Sequence, residues 1–246
     1  MKPSDFQKRN EKLVQEMNND EQLEELTKSW FERASSYEYD YHFQWLGRPI
    51  IQHPQDIIAM QEIIWDIKPD LIIETGVARG GSTVFYASMM ELLDNSGEVI
   101  GIEIDLKDHN KKALENHPLR NRFQVIEGSS TNEEVVAEVT RLAEDAETVL
   151  VALDSHHSHD HVLQEIDLYS PLVTKGSYLV VFDGIVEEMP PEFSESRPWG
   201  PGNNPKTAVK EFLQDTDRFE IDQDTENKLL ISVAPSGYLK CIMNNE

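Results

Sequence analysis

The sequence predicts a doubly wound α/β domain: a seven-stranded, mostly parallel sheet with helices on both faces, closed by an antiparallel hairpin and preceded by a helical extension. Three observations predict it. From about residue 54 short apolar runs alternate with helical stretches, the runs are continuously apolar, and polar or Gly-containing turns follow them. Continuous apolar runs flanked by helices are what parallel strands covered on both faces require.

Residues 1 to about 35 are polar and charged, with Leu13, Met17, Leu23, Leu26 and Trp30 at loosely helical spacing. They read as one or two amphipathic helices outside the main fold. An aromatic passage follows, Trp30, Phe31, Tyr37, Tyr39, Tyr41, Phe43 and Trp45, dense enough to pack on another surface as a substrate lid, a subunit contact or core. The chain therefore divides into an extension, residues 1–50, and a main domain, residues 51–246. Pro54 opens a helix carrying Ile57, Ile58, Met60, Ile63, Ile64 and Trp65, which Lys68-Pro69 ends. The apolar runs are LIIE (71–74), EVIGIE (98–103), FQVIE (123–127), TVLVALD (148–154) and SYLVVFD (177–183). Helical stretches near 82–93, 108–116, 132–145 and 159–170 separate or follow them. Five strands alternating with helices give a parallel sheet with right-handed crossovers. RFEID (218–222) and KLLISVA (228–234) are separated only by a short polar turn, which predicts the hairpin.

With 39% hydrophobic and 28% charged residues, the composition is that of a globular protein. The formal net charge is −24, from 46 acidic and 22 basic side chains, and no basic stripe interrupts it. That argues against a nucleic-acid partner and against an anionic membrane surface. Cys241 is the only cysteine, so neither an intrachain disulfide nor a Cys-based zinc site can form. No stretch approaches 18 apolar residues and the N-terminus lacks a signal-peptide core. A cytoplasmic protein without membrane insertion is expected.

In an open α/β sheet, ligands bind beyond the carboxyl ends of the strands, so the polar residues there carry the chemistry. After the first run comes Glu74-Thr75-Gly76-Val77-Ala78-Arg79-Gly80-Gly81-Ser82. Its glycines allow a tight turn and close approach to a ligand. Gly76-x-Ala78-x-x-Gly81 is also a degraded dinucleotide fingerprint, which raises a nicotinamide enzyme. Glu74 argues against it: a carboxylate there would repel a pyrophosphate but suit the ammonium of a methionine moiety. Glu103, ending the second run, can accept the hydroxyls of a ribose. Ser129 and Ser130 could border an adenine, or Ser130 or Thr131 could cap the next helix.

After the fourth run stands Asp154-Ser155-His156-His157-Ser158-His159-Asp160-His161, and after the fifth Asp183-Gly184. Adjacent strands would bring Asp154 and Asp183 together, and two converging carboxylates call for a hard cation such as Mg²⁺. A metal there could lower the pKa of a substrate hydroxyl, and a neighbouring histidine could take the proton. His157 and His161 are four apart, but His-Glu-x-x-His is absent, which argues against a zinc protease site. The Pro- and Gly-rich stretch from Pro190 to Lys206 reads as a lid, a substrate-binding loop or a surface excursion.

Together, LGRPIIQHPQD, KPDLIIETGVARGGS, GIEID, GSS, LDSHHSHDHV and GPGNNPKTAVKEFL resemble the cephalosporin hydroxylase family, which includes rhamnosyl O-methyltransferases. The resemblance runs from Trp45 to the end of the chain. It implies a class I methyltransferase fold with strand order 3-2-1-4-5-7-6 and S-adenosylmethionine as cofactor. By the resemblance, Glu74, Gly76 and Ser82, with Ala78 and Arg79 between them, form the methionine-side loop. Glu103 takes the ribose, Ser129 and Ser130 line the adenine side, and Asp154 borders the cofactor. Asp154 and Asp183 are implied metal ligands and His157 the general base. Relatives carry a Glu-Asp pair where this chain has Phe182-Asp183, which leaves three outcomes: a weaker metal, a replacement ligand such as Glu187 or Glu188 from the following loop, or no metal. The expected activity is metal-assisted O-methylation of a sugar or another polyhydroxylated natural product. The alternatives are a hydroxylase-associated component or a non-catalytic nucleoside-binding subunit; a homo-oligomer is plausible.

Overall fold

The structure, a computed structural model, describes residues 4–94 and 96–244. The extension forms two helices, α1 (Asp5–Asn18) and α2 (Glu21–Ser35). Ser4 opens α1 with a capping box closed by Gln7, and the Asp20 carboxylate accepts from the Leu23 amide at the start of α2. α1 buries no residue and α2 buries only Phe31, so the polar faces read from the sequence are solvent faces. A small hairpin, β1 (Gln44–Trp45) and β2 (Arg48–Pro49), leads to α3 (Pro54–Ile67). Pro54 is at the first turn of α3, and Lys68 in the left-handed conformation ends it.

The main sheet is entered at β3 (Leu71–Thr75), followed by α4 (Gly81–Leu92), β4 (Glu98–Glu103), α5 (Asp108–Glu115), β5 (Phe123–Glu127), α6 (Glu133–Ala143), β6 (Val149–Leu153), α7 (His159–Tyr169) and β7 (Tyr178–Val181). These strands are parallel to their neighbours. After α8 (Pro205–Phe212) come β8 (Phe219–Ile221), α9 (Gln223–Lys228) and β9 (Tyr238–Cys241), with β9 antiparallel to both β7 and β8. The order β5-β4-β3-β6-β7-β9-β8 is the expected 3-2-1-4-5-7-6.

Strands β3 and β6 are buried along their whole length. Ile72, Leu150, Ala152 and Val180 pack in one layer with Ile63, Ile64 and Met60 of α3. Ile73, Val149, Val151 and Leu179 face the other way, against Val162 and Ile166 of α7. Both faces are covered, which is why no alternation shows in the sequence.

Two expectations need correction. The last strand is Tyr238–Cys241, not residues 228–234, and a helix and a loop replace the tight turn. The KLLISVA segment is apolar because it covers the core edge, and a buried carboxylate fixes it as loop: Asp56 accepts from Ser232 Oγ (2.6 Å), the Val233 amide (3.0 Å) and Tyr238 Oη (2.7 Å). Helix α6 is capped by Asn132 rather than by Ser130 or Thr131.

Candidate active site

Strand register places the site. Thr75 is opposite Leu153, and Leu153 opposite Val181, so the three chains leave the sheet side by side. The Asp154 amide still donates to the Thr75 carbonyl (3.0 Å), and the Phe182 amide to that of Leu153 (3.0 Å). Asp154 therefore stands at the rim one residue past β6, and Asp183 two past β7, in the left-handed conformation (φ 58°). Gly76 (φ +88°) crosses so close that a Cβ on it would lie 2.0 Å from the Asp154 carbonyl oxygen. Only glycine allows that approach.

On one side of this crossing lies a cavity of about 740 Å³, whose wall includes Gly76, Ala78, Glu103, Ser129, Ser130 and Asp154. The Ala78 amide donates to Glu103 Oε2 (2.7 Å), which ties the glycine-rich loop to the end of β4. The loop is braced from behind. Arg48 of β2 donates to the Arg79 carbonyl through Nε (2.9 Å) and to Asn110 Oδ1 (2.8 Å), while Asn110 donates to the Ala78 carbonyl (3.1 Å).

On the other side Gly76, Arg79, Ser82, Gln52, Asp40, Asp154, His157 and Asp183 enclose about 220 Å³. His157 and Asp183 also wall a third cavity of about 400 Å³ with Tyr41, His53, Arg197 and Trp199. The small cavity thus shares walls with both larger ones. Trp199 sets its ring edge-to-face with His156 and His157, both at 5.0 Å between centroids.

His157 Nε2 lies 3.1 Å from Asp183 Oδ2, and one donor atom from each of Asp154, His157 and Asp183 falls within 4.8 Å of the others. Burial, then the charge of Asp183, then that of Glu74, hold the Asp154 carboxyl well above the usual carboxylate range. Gln52 Nε2 donates to Asp154 Oδ2 (2.8 Å) and works against that shift. Two half-buried carboxylates with an imidazole nitrogen near both are a donor set whose charge a divalent cation would relieve. The residues fit such an ion.

Most of the predicted residues meet at this rim, with three departures. Glu74 is 1% exposed and lines none of these cavities; it lies under the glycine-rich loop, where it accepts from Thr83 Oγ1. Burial pushes its carboxyl up to about 7, against hydrogen bonds from Ser82 and Thr83. Glu187 and Glu188 do not reach the metal-ligand cluster. Glu187 accepts from the Gly202 amide and Asn204 Nδ2, and Glu188 pairs with Lys206, so both hold the 185–205 loop to α8. His157 and His161 do not share a helix face, because α7 starts at His159. His161 lies instead beside Ser155 Oγ (3.2 Å), and His159 beside Thr207 Oγ1 (2.8 Å). Sequence reasoning missed Arg48, Gln52 and His53 as wall or bracing residues, although they stand in the quoted LGRPIIQHPQD stretch. For Asp40 the sequence carried no signal.

The family model described as Rhamnosyl O-methyltransferase/CmcI matches residues 37–242. Rhamnosyl O-methyltransferases of Mycobacterium bovis and Mycobacterium tuberculosis are 33% identical over 189 residues, covering 75% of this chain and 72% of theirs. That of Mycobacterium leprae is 32% identical over 198 residues, 79% of this chain and 81% of its own. Among solved structures, a CmcI with Mg and SAM superposes with a TM-score of 0.58 at 18% identity, covering 82% of this chain and 78% of that one. An O-methyltransferase from Bacillus cereus in complex with SAH gives 0.53 at 15% identity, over 79% and 81%. These two share the fold. With four fifths of its length matched by the family and sequence identity to its curated members above 30%, the chain belongs to the Rhamnosyl O-methyltransferase/CmcI family, and with it to the O-methyltransferases.

Proposed function

We propose that the chain transfers the methyl group of S-adenosylmethionine to a hydroxyl of a sugar or a similar polyhydroxylated molecule, assisted by a divalent cation. One observation carries the reading: the Asp154–His157–Asp183 cluster walls a small cavity that shares lining residues with both a cavity large enough for a nucleoside and a second, aromatic-walled one. The mycobacterial relatives are named for rhamnose, and the CmcI neighbour holds Mg and SAM; both support it.

The loop from Gly76 to Ser82, Glu103, Ser129 and Ser130 would hold the cofactor, with Asp154 at its border. Glu74 would act from beneath, by fixing the loop. The bound cofactor supplies an electrophilic methyl group. Asp154 and Asp183 would hold the cation, which would lower the pKa of the acceptor hydroxyl and offset the alkoxide charge. Tyr41 and Trp199 offer flat apolar faces to the acceptor. Catalysis would rest on holding two reactants in line and out of water.

Two groups on the wall can take the hydroxyl proton. His157 Nε2 is the one expected from the sequence. Asp40 is the other: burial, reinforced by Asp183, raises its carboxyl above the ordinary range. Exposed Phe6, Leu13 and Leu26 of the extension support a homo-oligomer.

The test is calorimetry with S-adenosylhomocysteine, followed by incubation with isotopically methyl-labelled cofactor and a panel of rhamnosides. Label in a sugar product is the expected result. Absence of nucleoside binding would sink the proposal.

A further inference from the structure

We propose that His157 is the third protein ligand of the cation, so that this site takes a nitrogen-tolerant dication such as Mn²⁺ or Co²⁺ in preference to Mg²⁺. This rests on the proposed metal-assisted reading and goes beyond it, since it names the donor set and the metal class.

Donor geometry is the first argument. Two ligand atoms each about 2.1 Å from an octahedral ion, at right angles, lie about 3.0 Å apart. His157 Nε2 and Asp183 Oδ2 are 3.1 Å apart, and Asp154 offers an oxygen within 4.8 Å of both. A hydrogen-bonded His–Asp pair would give the same single distance, but it would leave the half-buried Asp154 carboxylate close to Asp183 with, among the described residues, only Gln52 donating to it.

The second argument is that no other side chain completes the set. Among the described residues, Asp154, His157 and Asp183 form the sole group of three possible donors. Phe182, beside Asp183, is buried in the layer of Val180 and Tyr238. Glu187 and Glu188 are held elsewhere by Asn204 and Lys206.

The third argument concerns orientation. Trp199 packs edge-to-face on the His157 ring, and the imidazole is less than one fifth exposed. A ring fixed in this way presents Nε2 to the cluster without loss of side-chain freedom on binding.

Two carboxylates and one imidazole carry one negative charge less than three carboxylates. Hard Mg²⁺ favours an all-oxygen shell, whereas imidazole suits the later first-row dications. An Nε2 engaged with a cation cannot also accept the hydroxyl proton, so that task passes to Asp40.

The full-length protein is loaded with Mn²⁺ alone and read by electron spin-echo envelope modulation. Directly bound ¹⁴N should appear in the wild type and change to the ¹⁵N pattern in protein grown on [¹⁵N]histidine, a comparison that needs no substitution. His157→Gln should abolish the nitrogen signal. By calorimetry the wild type should prefer Mn²⁺ over Mg²⁺ by about tenfold or more, and His157→Gln should shrink that to about threefold or less. Mn²⁺ that binds, is lost in Asp154→Ala, and shows no nitrogen coupling overturns the ligand role while the two-carboxylate site stands. Failure of the wild type to bind either ion overturns both readings.

Discussion

The two halves of the site are built differently. The half proposed for the nucleoside stands on the ends of β3, β4 and β5, whose register fixes Gly76, Glu103 and Ser129 to within a residue. The half proposed for the acceptor is assembled from a short 3-10 turn at residues 39–42, Gln52 and His53, the 185–205 loop and Val233. Each half rests on a buried carboxylate. Glu74 lies under the glycine-rich loop and Asp56 under the Val233 segment, the former pushed up to about 7 and the latter to about 6 by burial. On the proposed reading, regular backbone makes the half that takes the cofactor, and turns and loops make the half that meets the acceptor.

The sharpest way to break this contrast is at the boundary. Asp154→Asn should lower kcat by about a thousandfold while S-adenosylhomocysteine binds within about threefold of wild type. A matching loss of nucleoside affinity would show that the halves are not separable there. Gly76→Ala forces a Cβ against the Asp154 carbonyl, and should weaken nucleoside binding about a hundredfold in calorimetry. Trp199→Ala tests the opposite side. Acceptor KM should rise about tenfold with nucleoside affinity falling by no more than about threefold, since its ring lines the acceptor side and reaches the larger cavity only through His156.

The carboxylate under the cofactor loop gives a smaller, pH-dependent effect. Glu74 binds its proton more tightly folded than unfolded, so its stabilising contribution is complete below its ordinary pKa and is lost as pH rises through about 7. The melting temperature of the ligand-free protein should fall between about pH 5 and pH 8, and Glu74→Gln should flatten that fall by about 5 °C. An equal slope in both proteins would show that Glu74 stays ionised. The smallest effect belongs to Arg48→Lys, which keeps the charge but loses the fork between Arg79 and Asn110. Nucleoside affinity should drop about threefold.

Legibility in the sequence follows the same division. The nucleoside half was readable because strand ends are marked by the apolar runs before them: Glu103, Asp154 and Asp183 each close such a run, and Gly76 stands two residues past one. Asp40 and His53 were not. Their place depends on how the extension folds back, which periodicity does not encode. The last strand was misplaced for a related reason. Leu229 and Ile231 are apolar because they cover a core edge, a role that looks like a strand by composition, and the hydrogen bonds of Asp56 to Ser232 and Val233 are non-local. Glu74 was found, but its direction was not, since a strand-end residue can face the cleft or the layer beneath it.

The bracing by Arg48 has a consequence for how such enzymes can be altered. On the proposed reading, acceptor preference sits in the extension and the 185–205 loop, which are separate stretches of chain and invite exchange between relatives. Yet Arg48 belongs to the hairpin at the end of the extension, and the backbone it grips is the glycine-rich loop itself. A graft that ends after residue 50 carries that grip away from its socket at Asn110. A junction before residue 43 leaves grip and socket in one parent, and is where a chimera should be cut.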